Sequence, residues 1–106
     1  NSGWGELPAM LFGNNAEIAE RAFPVKLGKL KDGYAADVIV LDYSAPTELS
    51  DKNINGHLLF GASARSVVTT IANGKILMKD RKLTELDAEE IYAKARERAK
   101  EVWKRL

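Results

Sequence analysis

Asn73-Gly74 lies between two runs of β-forming residues, Ser66 to Ala72 and Lys75 to Lys79. No other feature constrains the fold as tightly. A two-residue type I′ turn needs positive φ at both central positions, and Asn followed by Gly meets that need with the least strain. The dipeptide therefore predicts a tight antiparallel hairpin. Upstream, Ala36-Asp37-Val38-Ile39-Val40-Leu41-Asp42 sets four consecutive apolar β-formers between two aspartates. A continuous apolar run, unlike an alternating one, predicts a strand covered on both faces, so this segment is expected to be the central strand. Lys79-Asp80-Arg81-Lys82 makes a further polar turn.

Helical signals flank these strands. Residues 1–6 are Gly-rich, polar and expected to fray. From Leu7 to Ala22, an apolar stripe of Met10, Leu11, Ile18, Ala19 and Ala22 predicts a broken helix. Pro8 suits a first helical turn. Gly13-Asn14-Asn15 is the expected interruption, with Asn15 capping a second short helix, and Pro24 ends the segment. Leu27 to Tyr34 reads as a short extended piece followed by a turn at Lys31-Asp32-Gly33. Ser44 to Gly56 is rich in turn formers, and His57-Leu58-Leu59-Phe60 fits a helical turn and a strand equally well. At the end, Asp87 is a good N-cap, and Glu90 three residues on completes a capping box, with Leu86 and Ile91 at staple positions. Ile91, Ala95, Val102 and Leu106 share one helical face with Tyr92, Ala99 and Trp103, a stripe that calls for a docking surface.

Composition excludes several classes of function. The 106 residues hold 16 basic and 15 acidic side chains, a net charge of +1. That balance, with the two signs interleaved, gives no electrostatic case for nucleic acid. There is no cysteine, which removes disulfides, thiolate metal sites and a cysteine nucleophile. No apolar run approaches the roughly 20 residues that span a bilayer. The start, Asn1-Ser2-Gly3-Trp4-Gly5, has no signal-peptide pattern and no initiator methionine. It is the start expected of a processed, tagged or cut chain. The expected location is cytoplasmic. Hydrophobic residues at 45% and charged residues at 29% describe an ordinary globular chain, one long enough to remove roughly 60–70% of its unfolded surface from water.

No catalytic set emerges from the residues. His57 is the only histidine, and a hydrolytic metal centre takes about three protein ligands with histidine prominent. Packing or capping a loop beside Leu58 and Phe60 is its structural reading; an isolated proton-transfer role is its functional one. Asp37 and Asp42 could do acid–base work as a pair, but their odd spacing along a strand sends them to opposite faces. The alternative is that both bond turn backbone. Gly28, Gly33 and Gly61 form no phosphate loop. Ser63, Ser66, Thr69 and Thr70 lack a histidine at a useful spacing. The aromatic residues do not interleave with basic ones as a nucleic-acid platform would.

Gly28-Lys29-Leu30-Lys31-Asp32-Gly33-Tyr34-Ala35-Ala36-Asp37-Val38-Ile39-Val40-Leu41-Asp42 resembles the Gly-x-Leu-x-x-Gly-x-x-Ala-Asp-(apolar)-Asp signature of the amidohydrolase superfamily. Val67 to Met78 looks like the closing hairpin of that family, and His57-Leu58-Leu59-Phe60 resembles its aminohydrolase and chlorohydrolase branch. Asn14-Asn15-Ala16 departs from the Asn-Gly-Ala often found before the signature. The resemblance implies an α+β fold: a small β-sheet, part of a composite β-sandwich, with an N-terminal helical segment and a long C-terminal helix. Residues 1–24 would correspond to the last barrel helix region, 25–83 to the sandwich part and 84–106 to the terminal helix. Gly28, Leu30, Gly33, Ala36, Asp37, Asp42, Asn73 and Gly74 would be structural signature positions, with Gly28 and Gly33 allowing the turn and Asp37 anchoring the strand. The family's catalytic histidines and aspartate lie on barrel strands before this region, so no catalytic or metal-binding residue carries over.

The expectation is a non-catalytic C-terminal part of a metal-dependent amidohydrolase, such as an aminohydrolase or deaminase. A divalent metal, zinc or iron, is implied for the parent enzyme and none for this chain. Its partner would be the rest of the parent barrel, or further copies in a homo-oligomer, with no nucleic acid or membrane. The alternative is a free-standing binding or assembly module that pairs through exposed strand edges. An unrelated small enzyme is a third reading.

Overall fold

The computed structural model describes residues 3–105; Asn1, Ser2 and Leu106, the last residue of the terminal stripe, lie outside them. The fold is α+β. Four strands form one antiparallel sheet in the order β1-β2-β3-β4, with β1 at Val38–Leu41, β2 at Val67–Ala72, β3 at Lys75–Lys79 and β4 at Lys82–Leu83. Helical elements are α1 (Glu6–Ala9), α2 (Asn15–Glu20), α3 (Ile54–Gly56) and α4 (Ala88–Trp103).

Local chemistry accounts for the two hairpins. Asn73 and Gly74 take φ of 47° and 79°, which closes β2 onto β3 with Ala72 opposite Lys75. A second tight turn follows without any glycine. Asp80 and Arg81 sit at φ 50° and 63°, setting Lys79 opposite Lys82. Positive φ is unusual for Arg, and tertiary bonds hold it there. The Arg81 N–H donates to the Val68 carbonyl at 2.9 Å, and its guanidinium reaches the Asp42 carboxylate at 3.3 Å. This turn adds β4, a strand the residue pattern does not announce.

Several sequence expectations are corrected. β1 is an edge strand, not the central one, and Ile39 and Val40 remain 56% and 47% exposed. Its apolar run is suited to cover on both faces that this chain does not itself supply. The segment at Gly13-Asn14-Asn15 is not a break. The chain continues through a π-helical turn at Met10–Asn14 into α2, and Asn15 is helical itself, its N–H donating to the Met10 carbonyl. His57–Gly61 is a second π-helical turn, closed by Ala62 N–H on the His57 carbonyl at 2.7 Å. Only half of the capping box at α4 forms. Asp87 accepts from the Glu89 and Glu90 N–H groups at 3.0 and 3.1 Å, while the Glu90 carboxylate turns to Lys94 on the next turn.

The expected core is absent among the described residues: none is buried. The chain is extended, with a radius of gyration of 18.2 Å where a compact chain of this length has about 13 Å. Its accessible surface is 9119 Å², some 3,200 Å² above the roughly 5,900 Å² of a compact monomer of this mass. Contact is concentrated within the sheet and between neighbouring helical turns, and α4 makes little contact with any other element.

Candidate functional site

Asp37 and Ala36 clamp the start of β1 to the Asn73-Gly74 turn. Asp37, just before β1, accepts the Asn73 N–H at 2.7 Å, and Gly74 N–H donates to the Ala36 carbonyl at 2.9 Å. The start of β1 is thereby tied to a turn 36 residues away. At the other end of β1, the Asp42 N–H donates to the Ser66 carbonyl at 2.7 Å. The Asp42 side chain holds Arg81 and not turn backbone. The two carboxylates are separate fasteners at opposite ends of one strand.

The loop before β1 is shaped by two glycines. Gly28 has φ +78°, and a Cβ there would lie 2.7 Å from the Ala16 Cβ of α2. Its bare backbone lets the loop sit on α2, where the Leu27 N–H donates to Glu20 Oε1 at 2.7 Å. Gly33 has φ +83° in open space, so it serves the turn alone, next to the Tyr34 N–H bond to the Lys31 carbonyl. Ala35 N–H returns to the Lys26 carbonyl at 2.8 Å. Leu30 projects from the loop tip, 85% exposed.

His57 begins the second π-helical turn and is held at both ring nitrogens. Tyr43 Oη lies 2.9 Å from Nδ1, and Thr47 Oγ1 lies 2.9 Å from Nε2. Gly61 makes this arrangement possible, since a Cβ there would come within 2.1 Å of the Tyr43 hydroxyl. Both hydroxyls belong to the segment after β1, so the imidazole pins that loop to the π-turn. Trp4 packs edge-on to Phe60 with ring centroids 5.7 Å apart. Sequence reasoning missed Tyr43 and Thr47, whose spacings of 14 and 10 residues from His57 carry no motif. A hydroxyl on imidazole is also the geometry of a nucleophile and its base. Here the second ring nitrogen meets the Tyr43 hydroxyl, where a triad would place a carboxylate.

The residues do not fit a catalytic metal. Among the described residues no three His, Asp or Glu side chains converge, and the one histidine already bonds two hydroxyls. An open apolar cleft lies between the two π-helical turns and β1, with Leu11, Phe12, Ile39, Leu41 and Leu58 among its walls. Nothing in it resembles a polar reaction centre. No helix among the described residues is long and apolar enough to cross a membrane.

Over about three quarters of its length the chain is similar, at about 40% identity, to deaminases of the amidohydrolase superfamily. Over 78 residues it is 41% identical to the 5-methylthioadenosine/S-adenosylhomocysteine deaminase of Dictyoglomus thermophilum, a match covering 74% of this chain and 18% of that protein. It is 40% identical over 78 residues to the 5'-deoxyadenosine deaminase of Methanobrevibacter smithii, covering 73% and 18%. With the 5-methylthioadenosine/S-adenosylhomocysteine deaminase of Thermococcus onnurineus it shares 42% over 63 residues, covering 59% and 15%. The chain thus spans less than a fifth of the length of these relatives. No protein-family model and no solved structure matches it.

Proposed function

We propose that this chain is the C-terminal, non-catalytic part of a metal-dependent aminohydrolase. Its substrate would be an adenosine-type nucleoside altered at the 5′ position, as the names of the deaminases it resembles indicate. The observation that carries the proposal is a pairing. The chain is about 40% identical to a short stretch of these enzymes, yet its described part buries no residue. It has the surface of a piece made to lie on something larger. The metal, zinc or iron, and the histidines that hold it would belong to the catalytic barrel. The clamp at Asp37 and Asn73 and the latch at His57 give the chain an architectural role: a preformed sheet and loop against which the barrel closes. A cytoplasmic location accords with a small nucleoside as substrate and with the lack of cysteine.

Deaminase assays on the purified chain test this. With 5'-deoxyadenosine and added zinc or iron, release of ammonia is expected to equal the metal blank; turnover above it would sink the proposal. The open edge of β1 supports a second reading, an assembly module that pairs strand to strand. Light scattering separates the two, because a stable monomer at high concentration rules out the assembly module.

A further inference from the structure

At 100° per residue, Ile91, Tyr92, Ala95, Ala99, Val102 and Trp103 of α4 fall within an arc of roughly 120°. Arg98 borders that arc on one side and Arg96 on the other. The carboxylates, Glu89, Glu90, Glu97 and Glu101, all lie further round the helix. Two are already engaged there, Glu90 by Lys94 and Glu101 by Lys104. Among the described residues, neither Arg96 nor Arg98 has a carboxylate within ion-pair distance. The stripe is uncovered, with Tyr92 62% and Trp103 72% exposed. Arginine is the side chain suited to hold a carboxylate bidentately at the edge of a desolvated contact.

We infer that α4 docks its apolar stripe into a groove on the catalytic body of the deaminase, a groove edged on both sides by Asp or Glu that bond Arg96 and Arg98. This rests on the function proposed above. A second copy of the chain fits the stripe less well. An antiparallel pair closing on the small Ala95 and Ala99 has its two-fold axis beside residue 97. Arg96 then meets its own copy on one border and Arg98 its own copy on the other, and like charges so placed oppose pairing. A parallel pair sets Arg96 of one copy beside Arg98 of the other on both borders, and a 16-residue helix is only about 24 Å long. Such a pair leaves most of the surplus surface of the chain open, whereas a barrel-sized body can cover it.

The test uses the Dictyoglomus thermophilum deaminase with its matching region, and all that follows it, replaced by this chain. Its readout is chymotryptic cleavage after Tyr92 and Trp103, followed by mass spectrometry. Arg96→Glu/Arg98→Glu is expected to speed cleavage by about tenfold or more, as like charges now meet at both borders, while Arg96→Lys/Arg98→Lys stays near the parent rate. Cleavage of the double Glu variant at the parent rate overturns the inference and leaves the proposed function standing. If the chimera does not assemble, the proposed function falls, and the isolated chain is titrated with two synthetic helices. One has a Leu/Ala stripe bordered by Glu, the other the same stripe bordered by Lys. Tryptophan fluorescence saturating with the Glu-bordered helix alone supports an acid-edged partner; equal binding overturns it. Sedimentation of the isolated chain as a dimer unaffected by Arg96→Glu/Arg98→Glu would assign the stripe to a second copy, and also overturns it.

Discussion

Gly28→Ala isolates the contact that seats the signature loop on α2. Two costs add. At φ +78° an L-residue loses about 1–2 kcal/mol. The new Cβ also lies 2.7 Å from the Ala16 Cβ, where carbon atoms normally rest about 3.5–4 Å apart. Relieving that overlap by moving loop and helix apart costs a further ~1–3 kcal/mol, for a total of about 2–5 kcal/mol. Gly33→Ala is the internal control. It shares the left-handed φ, at +83°, but its Cβ meets nothing within 4 Å, so only the backbone cost of about 1–2 kcal/mol applies. The assay is amide hydrogen exchange at Leu27 and Ala35, whose N–H groups bond Glu20 and Lys26 across this junction. Exchange reports local opening directly. Gly28→Ala should strip protection from both amides, and Gly33→Ala should lower it less. Adding Ala16→Gly to Gly28→Ala removes the overlap at the expense of about 1 kcal/mol of helix propensity. The pair should show a favourable coupling of about 1–3 kcal/mol in a double-mutant cycle. Equal losses for the two alanine variants, or no coupling with Ala16→Gly, would refute the steric account.

Three further outcomes follow from the geometry. Asp37→Ala removes the acceptor of the Asn73 N–H, and a hydrogen bond to a charged group is worth about 1.5–3 kcal/mol; exchange at Asn73 should accelerate, with partial retention in Asp37→Asn. Gly61→Ala drives a methyl into the Tyr43 hydroxyl and should displace the phenol from His57, giving a ¹⁵N spectrum of the imidazole like that of Tyr43→Phe. The isolated chain, with no residue buried among those described, should melt over a broad range and bind a hydrophobic dye; a sharp two-state transition without dye binding would contradict the open architecture.

Features governed by neighbouring residues were legible in the chain, and features governed by distant ones were not. Asn73-Gly74 specified its own turn because the needed φ values belong to those two residues. Asp87 capped α4 because its acceptor and the orphan N–H groups lie within one turn. The apolar run of β1 was read as covered on both faces, but residue type alone does not say which polypeptide covers it, and within this chain it stands at the edge. The polar turn at Lys79 to Lys82 was legible, but its tight form and the strand after it were not, because Arg is a poor residue for positive φ and is held there by Val68 and Asp42. The His57 latch escaped for a similar reason, its two hydroxyls arriving from a loop whose path no local rule dictates. The glycines at 61 and 28 carried a signal only in retrospect, once Tyr43 and Ala16 were known to sit against them.

The π-helical turn at Met10–Asn14 bears on how this segment tolerates insertion and deletion. A turn that accommodates one extra residue shifts everything after it by roughly 100° about the helix axis relative to an unbroken α-helix. Ile18, Ala19 and Ala22 therefore point where they do because Leu11-Phe12-Gly13 is one residue too long for an α-turn. Deleting a residue there would heal the backbone ladder and leave the downstream side chains close to their present directions, whereas forcing all five residues into an α-turn would swing them more than a quarter of the way round. In this segment a more regular helix of the same length would re-aim α2 away from the Gly28 loop it now supports, and a helix one residue shorter would not.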